Sequence, residues 1–419
     1  MQETRIVLRN VGKYNPSSVS EYRALGGYTG LQKALTMTPE SIVEEVTASG
    51  LIGRGGAGFS TGRKLGFMLN EHADQKYLVC NADEGEPATN KDRVIMAGDP
   101  HGLLEGMAIA AYTIGASIGY IYLRFEYPYI FPVLENAIRD ARKAGFLGDH
   151  IFGSNFSFDI RVVSGGGAYV CGEETAMLES IEGHRGESRF KPPYPANKGL
   201  FGKPTLINNV ETLANLPPII NNGAAWYKGF GLAGAAGTKV YSLSGNLVNR
   251  GVYEFPEGTN LKDIIYEVGG GCPNGRKLLG VQTGGASGPI VNADMIDVPF
   301  RDGVSDELHW ASHGAGDIMV IDDSQDILDV VENLMEFFAH ESCGKCTPCR
   351  EGTTRLLQLV RKFKNGEATL EDMDTIEDLA IMIRDCSLCG LGQAAPIPVI
   401  STLRNFRHVY LEAVERGQK

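Results

Sequence analysis

The chain has 419 residues, enough for about three domains at roughly 150 residues each, so a minimal scaffold and a disordered polymer are both excluded. Its 39 basic and 51 acidic residues leave a net charge of −12, and with no Lys/Arg-rich run the sequence speaks against a nucleic-acid partner. The 53 glycines are clustered and aperiodic, which excludes collagen-like repeats and points to loops that lie against a ligand.

The first ten residues carry Glu3, Arg5 and Arg9 and lack a secretory apolar run, so a cytoplasmic location is expected. Thr38-Pro39 opens a capped helix that ends at Gly50, and a glycine loop follows at once. The uncharged stretch Gly106 to Leu123 reads as two elements rather than a membrane span: a helix over 103–114 and a strand over 119–123, split at Gly115. Tyr77 to Cys80 and Asp159 to Val163 read as further strands, and 132–144 as an amphipathic helix. Gly165-Gly166-Gly167 leads into a helix around 173–181, which completes an α/β pattern. The Pro/Gly-rich segment 185–205 is a long functional loop, and a helix begins near Asn208-Asn209. A Gly/Ala-rich boundary at 222–238 precedes short strands around one helix, 261–268, whose pattern resembles a β-grasp. From Asp326 onward the chain reads as about four helical segments, a terminal bundle.

Chemistry concentrates in three places. Cys343, Cys346 and Cys349 form C-x-x-C-x-x-C, and Cys389 stands 40 positions later. Three thiolates at that spacing suit three corners of an iron–sulfur cubane whose fourth ligand comes from elsewhere; a structural zinc site is the rival, and Cys386 competes with Cys389. The segment GRGGAGF carries G-x-G-x-x-G at Gly53, Gly55 and Gly58, but a helix rather than a strand precedes it, so a standard Rossmann reading fails. Its backbone N–H groups can still approach a phosphate, with Lys64 as a nearby cation and Phe59 and Phe67 as stacking faces. In NADEGEPAT, Asn81, Asp83, Glu84 and Glu86 crowd the end of a strand, where open α/β sheets bind ligands. Glu173 and Glu174, in the first turn of the helix after the second glycine run, are equally well explained as complements to its dipole.

Taken together, GRGGAGF, CNADEGEP, GGGAYVCGEETA, KPPYPA, NNVETL, ESCGKCTPCREG and LCGLG, in that order and spanning nearly the whole chain, resemble the NADH-binding flavoprotein subunit shared by respiratory complex I and by soluble NADH-linked hydrogenases and formate dehydrogenases. The resemblance implies an α/β FMN- and NADH-binding domain of non-standard Rossmann-like form over 71–235, with 1–70 as its helical and glycine-loop part. A β-grasp (soluble-ligand-binding) domain over 239–322 and a four-helix bundle over 326–419 with one 4Fe–4S cluster would follow. It decides for Cys343, Cys346, Cys349 and Cys389 as ligands, with Cys386 a bystander. By the same resemblance Gly53, Gly56, Lys64, Asn81, Asp83, Gly172, Asn208, Asn209 and Thr212 would contact FMN, and Gly55, Gly58, Glu84 and Glu173 belong to the same cofactor-binding loops. Phe59, Phe67 and Tyr194 would flank the adenine, and Glu86, Tyr169, Glu174 and Lys191 would line the nicotinamide-nucleotide cleft. Ser60, Leu65 and Tyr194 depart from residues common in the family, which bears on affinity more than identity.

The implied activity is hydride transfer from NADH to FMN and one-electron transfer to the cluster, with no side chain as acid or base. A carboxylate at Glu174 near the adenosine ribose would favour NADH over NADPH. The chain matches the minimal core, the form complex I uses, yet GKCTPCREG and the segment from Ser387 look more like hydrogenase and formate dehydrogenase subunits, so complex I is the runner-up. Expected partners are a small thioredoxin-like 2Fe–2S subunit and a larger iron–sulfur catalytic subunit, with no direct membrane insertion. A zinc-stapled, non-catalytic ligand-binding scaffold is the contrasting reading.

Overall fold

Thr38 accepts the Ser41 N–H, Pro39 occupies the first turn, and Gly50 at φ 74° closes the helix Pro39–Ser49, so its ends are set by local chemistry. The computed structural model describes residues 1–301 and 313–417; part of the expected 239–322 module therefore lies outside the described residues. The glycine loop runs from this helix to the next, Thr61–Asn70, and is closed at its base by a bridge between Ile52 and Ser60. It thus precedes the first strand, the reverse of the Rossmann order, as the sequence indicated.

Four parallel strands follow: β1 (Tyr77–Ala82), β2 (Ile118–Leu123), β3 (Asp159–Ser164) and β4 (Thr205–Asn209), in the spatial order β3-β2-β1-β4. β4 was not legible, because Asn208-Asn209 reads as a helix start; Asn209 does both, ending the strand and capping Val210–Ala214 through the Glu211 N–H. The helix Pro100–Ile114 is buried at every residue except Tyr112, which accounts for the uncharged run without a membrane. Gly106 is required there, since a Cβ would stand 2.0 Å from the Leu213 carbonyl oxygen of a crossing helix. Among the described residues no helix is long and apolar enough to cross a membrane.

The Gly/Ala-rich stretch after Asn222 is folded, with a helix Ala224–Lys228 and a two-residue ribbon of β5 (Gly231–Leu232) and β6 (Ala235–Ala236). A mixed sheet of β7 (Thr238–Gly245), β8 (Gly251–Pro256), β9 (Leu278–Thr283), β10 (Ile290–Asn292) and β11 (Asp317–Asp322) has the order β10-β9-β11-β7-β8. Only β7 and β11 pair in parallel, and a small core of Tyr241, Phe255, Leu261, Phe300 and Ile318 lies beneath them. The helix expected over 261–268 is one α-turn, Leu261–Asp263, continued as a π-turn over Ile264–Val268.

The C-terminal region has six helical segments rather than about four: Ile327–Glu341, Thr347–Lys364, Leu370–Cys386, Gly390–Ala394, Ile397–Asn405 and Arg407–Gly417. The extra breaks fall at Ser387–Cys389 and at Pro396, where extended backbone and the missing proline N–H interrupt the run. One face of the parallel sheet, with Leu78 and Ile121, packs on the N-terminal helices. The other face, with Val79, Tyr122 and Ile207, shares a continuous core with Met177, Leu356, Ile383 and Val399, so the cysteine-bearing region is seated directly on the sheet.

Candidate functional site

A cleft of about 580 Å³ opens at the carboxyl ends of β1 and β4, within the ~300–1,000 Å³ typical of ligand sites. Its walls come from four parts of the chain: the glycine loop (Gly55, Gly56), the acidic loop after β1, the segment Tyr169–Glu173, and the run Gly284–Pro289 from the second sheet. A further wall, from Gly390 and Leu391 to Ile397, begins at the residue after Cys389. The open α/β rule put ligands at these strand ends, and that is where the cleft lies.

The residues on its surface are fixed in place. Asn81 donates to the Gly172 carbonyl at 2.8 Å and accepts the Asp83 N–H at 3.1 Å, which joins the acidic loop to the second glycine segment. Gly56 has φ 114°, and a Cβ on Gly55 would meet that of Asn209 at 3.1 Å, so side chains here would fill the cradle. Ala88 sits in the left-handed region at φ 74°, backbone strain of the kind held at ligand sites. Among the buried polar atoms without a hydrogen-bond partner in the described residues are Asp83 Oδ2, on the cleft, and Asn208 Nδ2, at the end of β4, and burial pushes the Asp83 carboxyl up to about 7. A flavin cofactor's hydroxyls and ring polar atoms would satisfy such orphans, so the donor set fits FMN.

Some of the expected contact residues serve structure as well. Glu84 accepts the N–H groups of Asp92 and Arg93 at 2.7 and 3.2 Å and the Tyr127 hydroxyl at 3.0 Å, capping the helix Lys91–Gly98; burial, then Asp92, pushes its carboxyl to about 7. Glu173 caps Glu174–Ile181 through Thr175 and Ala176, the dipole role considered from sequence. The Thr212 hydroxyl accepts the Arg54 N–H at 2.8 Å, so it shapes the glycine loop from behind. Gly53 N–H donates to Phe59 carbonyl across the loop base, and Gly58 has φ 61°.

Glu86 and Tyr169 meet: the Tyr169 hydroxyl donates to Glu86 at 2.6 Å, and the Ser287 N–H donates to the same carboxylate at 2.7 Å. This ties the acidic loop to the second sheet module. Lys191 bridges Glu173 and Glu174 at 2.9 and 2.6 Å, and Lys64 reaches Glu174 at 3.5 Å. Against the upward push of burial, these two ammonium groups hold the Glu174 carboxyl below its ordinary value. Phe59 and Phe67 are 45% and 50% exposed, with ring centroids 6.3 Å apart and the Arg63 guanidinium over both. Tyr194 is 55% exposed at the start of Pro195–Lys198. All three leave large aromatic faces in water.

Sequence reasoning missed Arg54 and Lys91. Arg54 is fully buried; it pairs with Glu257 and donates to the Thr238 and Ala236 carbonyls at 2.9 and 3.2 Å and to the Tyr227 hydroxyl at 3.3 Å, while Lys239 donates to its carbonyl. Against burial, Arg54 holds the Glu257 carboxyl down to about 2. Lys91 lines the cleft, buried, with Asp92 at 2.8 Å, Glu211 at 2.9 Å and Asn209 at 3.3 Å. The signal for Arg54 was a lone arginine among loop glycines; Lys91 follows the acidic loop with no periodicity to mark it.

The four expected ligands gather at one end of the helical region. Cys349 is buried and its thiol is pushed up to about 11 by burial, with Cys346, Cys389 and Cys343 adding to the effect. Cys386, on the last turn of Leu370–Cys386, is exposed. Among the described residues no three cysteine sulfurs lie within 4.8 Å of one another.

Residues 46–218 match the model of the Nuo51 FMN-binding domain, and residues 329–413 that of the NADH-ubiquinone oxidoreductase-F iron-sulfur binding region. The chain is 48% identical to the NADP-reducing hydrogenase subunit HndC of Solidesulfovibrio fructosivorans, over 98% of this chain and 83% of that protein. It is 45% identical to an F-type NADH-quinone oxidoreductase subunit of Rhizobium meliloti, over 98% of this chain and 97% of the relative. A solved structure titled as an air-oxidized NAD+-reducing [NiFe]-hydrogenase superposes with a TM-score of 0.85 at 35% identity, covering 98% of this chain and 67% of that one.

Proposed function

The chain belongs to the family that joins a Nuo51 FMN-binding domain to an F-type iron–sulfur region, and from that premise we propose that it is the electron-entry subunit of an NADH-dependent hydrogenase or formate dehydrogenase. The observation that carries this reading is the shared wall: the segment leaving Cys389 lines the cleft at Gly390 and Leu391, so a flavin and a cluster would be close neighbours. FMN, when bound, accepts the hydride of NADH and returns its electrons one at a time to the 4Fe–4S cluster.

The side chains bind and orient. Gly55, Gly56 and Gly58 would present backbone N–H groups to the phosphate end with Lys64 as counter-charge, Gly53 closes the loop base through the Phe59 carbonyl, and Asn81, Asp83, Asn208 and Asn209 would hold the ring and its chain. Gly172 leaves room beside Asp83, while Thr212, Glu84 and Glu173 keep the loops in shape. Phe59, Phe67 and Tyr194 take the adenine; Glu86, Tyr169, Glu174 and Lys191 border the nucleotide. The mixed sheet with its single short helix is read as a β-grasp module that supplies the Gly284–Pro289 wall. A small thioredoxin-like 2Fe–2S protein and a larger iron–sulfur subunit complete the assembly, in the cytoplasm. The 45% identical quinone oxidoreductase relative supports complex I as the second reading.

Anaerobic addition of NADH to the reconstituted protein should bleach the flavin absorbance, and a strong reductant should bring up a 4Fe–4S EPR signal. A folded, colourless protein holding zinc and no flavin would refute this function in favour of a binding scaffold.

A further inference from the structure

Cys349 is the most buried of the four cluster cysteines at 5% exposure, and a hydroxyl stands on each side of it. Ser342 Oγ lies 3.2 Å from Cys349 Sγ. Ser387, 6% exposed, has a buried hydroxyl with no hydrogen-bond partner among the described residues. Gly392 separates it from Cys349: a Cβ there would be 2.5 Å from Ser387 Oγ and 3.0 Å from Cys349 Cβ. Ser387 Oγ and Cys349 Cβ therefore border the same position, one that has no side chain. Nearby, the Leu388 N–H is directed at Cys346 Sγ at 3.5 Å.

Neither serine is needed as a ligand, since four thiols are already present, and an unpartnered buried hydroxyl is costly unless something accepts from it. We propose that Ser342 and Ser387 donate hydrogen bonds to the sulfur shell of the cluster and thereby raise its reduction potential, with Gly392 keeping the space that lets Ser387 do so. The inference rests on the iron–sulfur reading above. Reduction adds one electron and no proton to the cluster, so negative charge on sulfur grows, and a donor aimed at sulfur strengthens as it does. Both serines are positioning residues in this sense: they act on the potential and leave the ligand set unchanged.

The test is EPR-monitored potentiometry on the full flavin-loaded chain, with iron and sulfide counted in every sample. Ser342→Ala and Ser387→Ala should each keep their iron and make reduction about tenfold less favourable, about 59 mV more negative for one electron. Ser342→Thr and Ser387→Thr, which keep the hydroxyl, should restore the wild-type potential. Deuterium oxide should shift the Fe–S stretching bands of the wild type more than those of the double Ala variant. Ala variants with full iron and unchanged potentials would overturn the proposal, as would Thr variants displaced as far as Ala. Should an Ala variant lose iron, its Thr counterpart decides: a wild-type potential upholds the role and a shifted one refutes it. A wild type without iron would overturn the iron–sulfur reading itself, and the iron count tells that failure apart.

Discussion

Replacing Arg54 by methionine removes the cation that binds the glycine loop to the second sheet module. It would leave Glu257 buried at 1% side-chain exposure without its guanidinium, and the Thr238 carbonyl without a charged donor. Breaking one partner of a buried pair costs about 3–5 kcal/mol. A carboxyl held from 4.5 down to about 2 by Arg54, His313 and Lys239 together corresponds to about 3 kcal/mol, of which Arg54 supplies the largest favourable share. Urea denaturation of the flavin-free protein should show that loss, and flavin fluorescence should show FMN affinity weakened at least about tenfold, because the loop that lines the cleft at Gly55 and Gly56 loses its side-chain tie to Glu257 and the Thr238 carbonyl. Arg54→Met/Glu257→Leu should recover part of the stability by removing the stranded charge. The pH dependence has a definite sign. Glu257 is depressed in the folded state, so its stabilisation is complete above about pH 4.5 and is lost as pH falls towards 2; the single variant should lose Arg54's share of that component and keep the share of His313 and Lys239. A loss below about 1 kcal/mol, the scale of an exposed pair, with unchanged FMN affinity, would refute the assignment of Arg54 as the loop's anchor.

Cys386→Ala should keep full iron content, whereas Cys389→Ala should lose it, as read by iron assay and EPR; equal loss in both would make Cys386 a ligand. Glu174→Gln should relax discrimination against NADPH by about tenfold or more in the ratio of kcat/KM values, since one carboxylate facing a 2′-phosphate is removed; an unchanged ratio would assign specificity elsewhere. Asp83 is raised to about 7 by burial, so the folded flavin-free protein holds a proton that the unfolded chain releases above about pH 4, and stability falls as pH rises towards 7. Asp83→Asn should therefore raise the apo-protein's Tm more at pH 8 than at pH 5, and a pH-independent difference would speak against a buried carboxyl.

Where local chemistry determines local shape, the sequence was informative. The Thr38-Pro39 start and Gly50 end, the split of the uncharged run at Gly115, and the run Cys343, Cys346 and Cys349 are all features of short segments, whereas Cys389 was chosen over Cys386 by the family resemblance and not by spacing. What stayed hidden depends on partners distant in the chain. β4 exists because Thr205–Asn209 pairs with β1 more than a hundred residues earlier, while its own Asn-Asn end favours a cap. Arg54 gains meaning only through Glu257 and Tyr227, and Lys91 only through Glu211 and Asn209. The acidic residues were correctly placed at a strand end, yet nothing local could tell that Glu84 spends its carboxylate on a helix start while Asp83 keeps one oxygen open.

The wall formed by Gly390, Leu391 and Ile397 has a consequence for how the molecule is made. During synthesis the glycine loop, the acidic loop and the parallel sheet all emerge long before this last stretch, so the cleft stays open on one side until almost the whole chain has left the ribosome. A chain cut short before this stretch would lack one wall of the cleft, so flavin retention reports on whether the molecule has been made to its end.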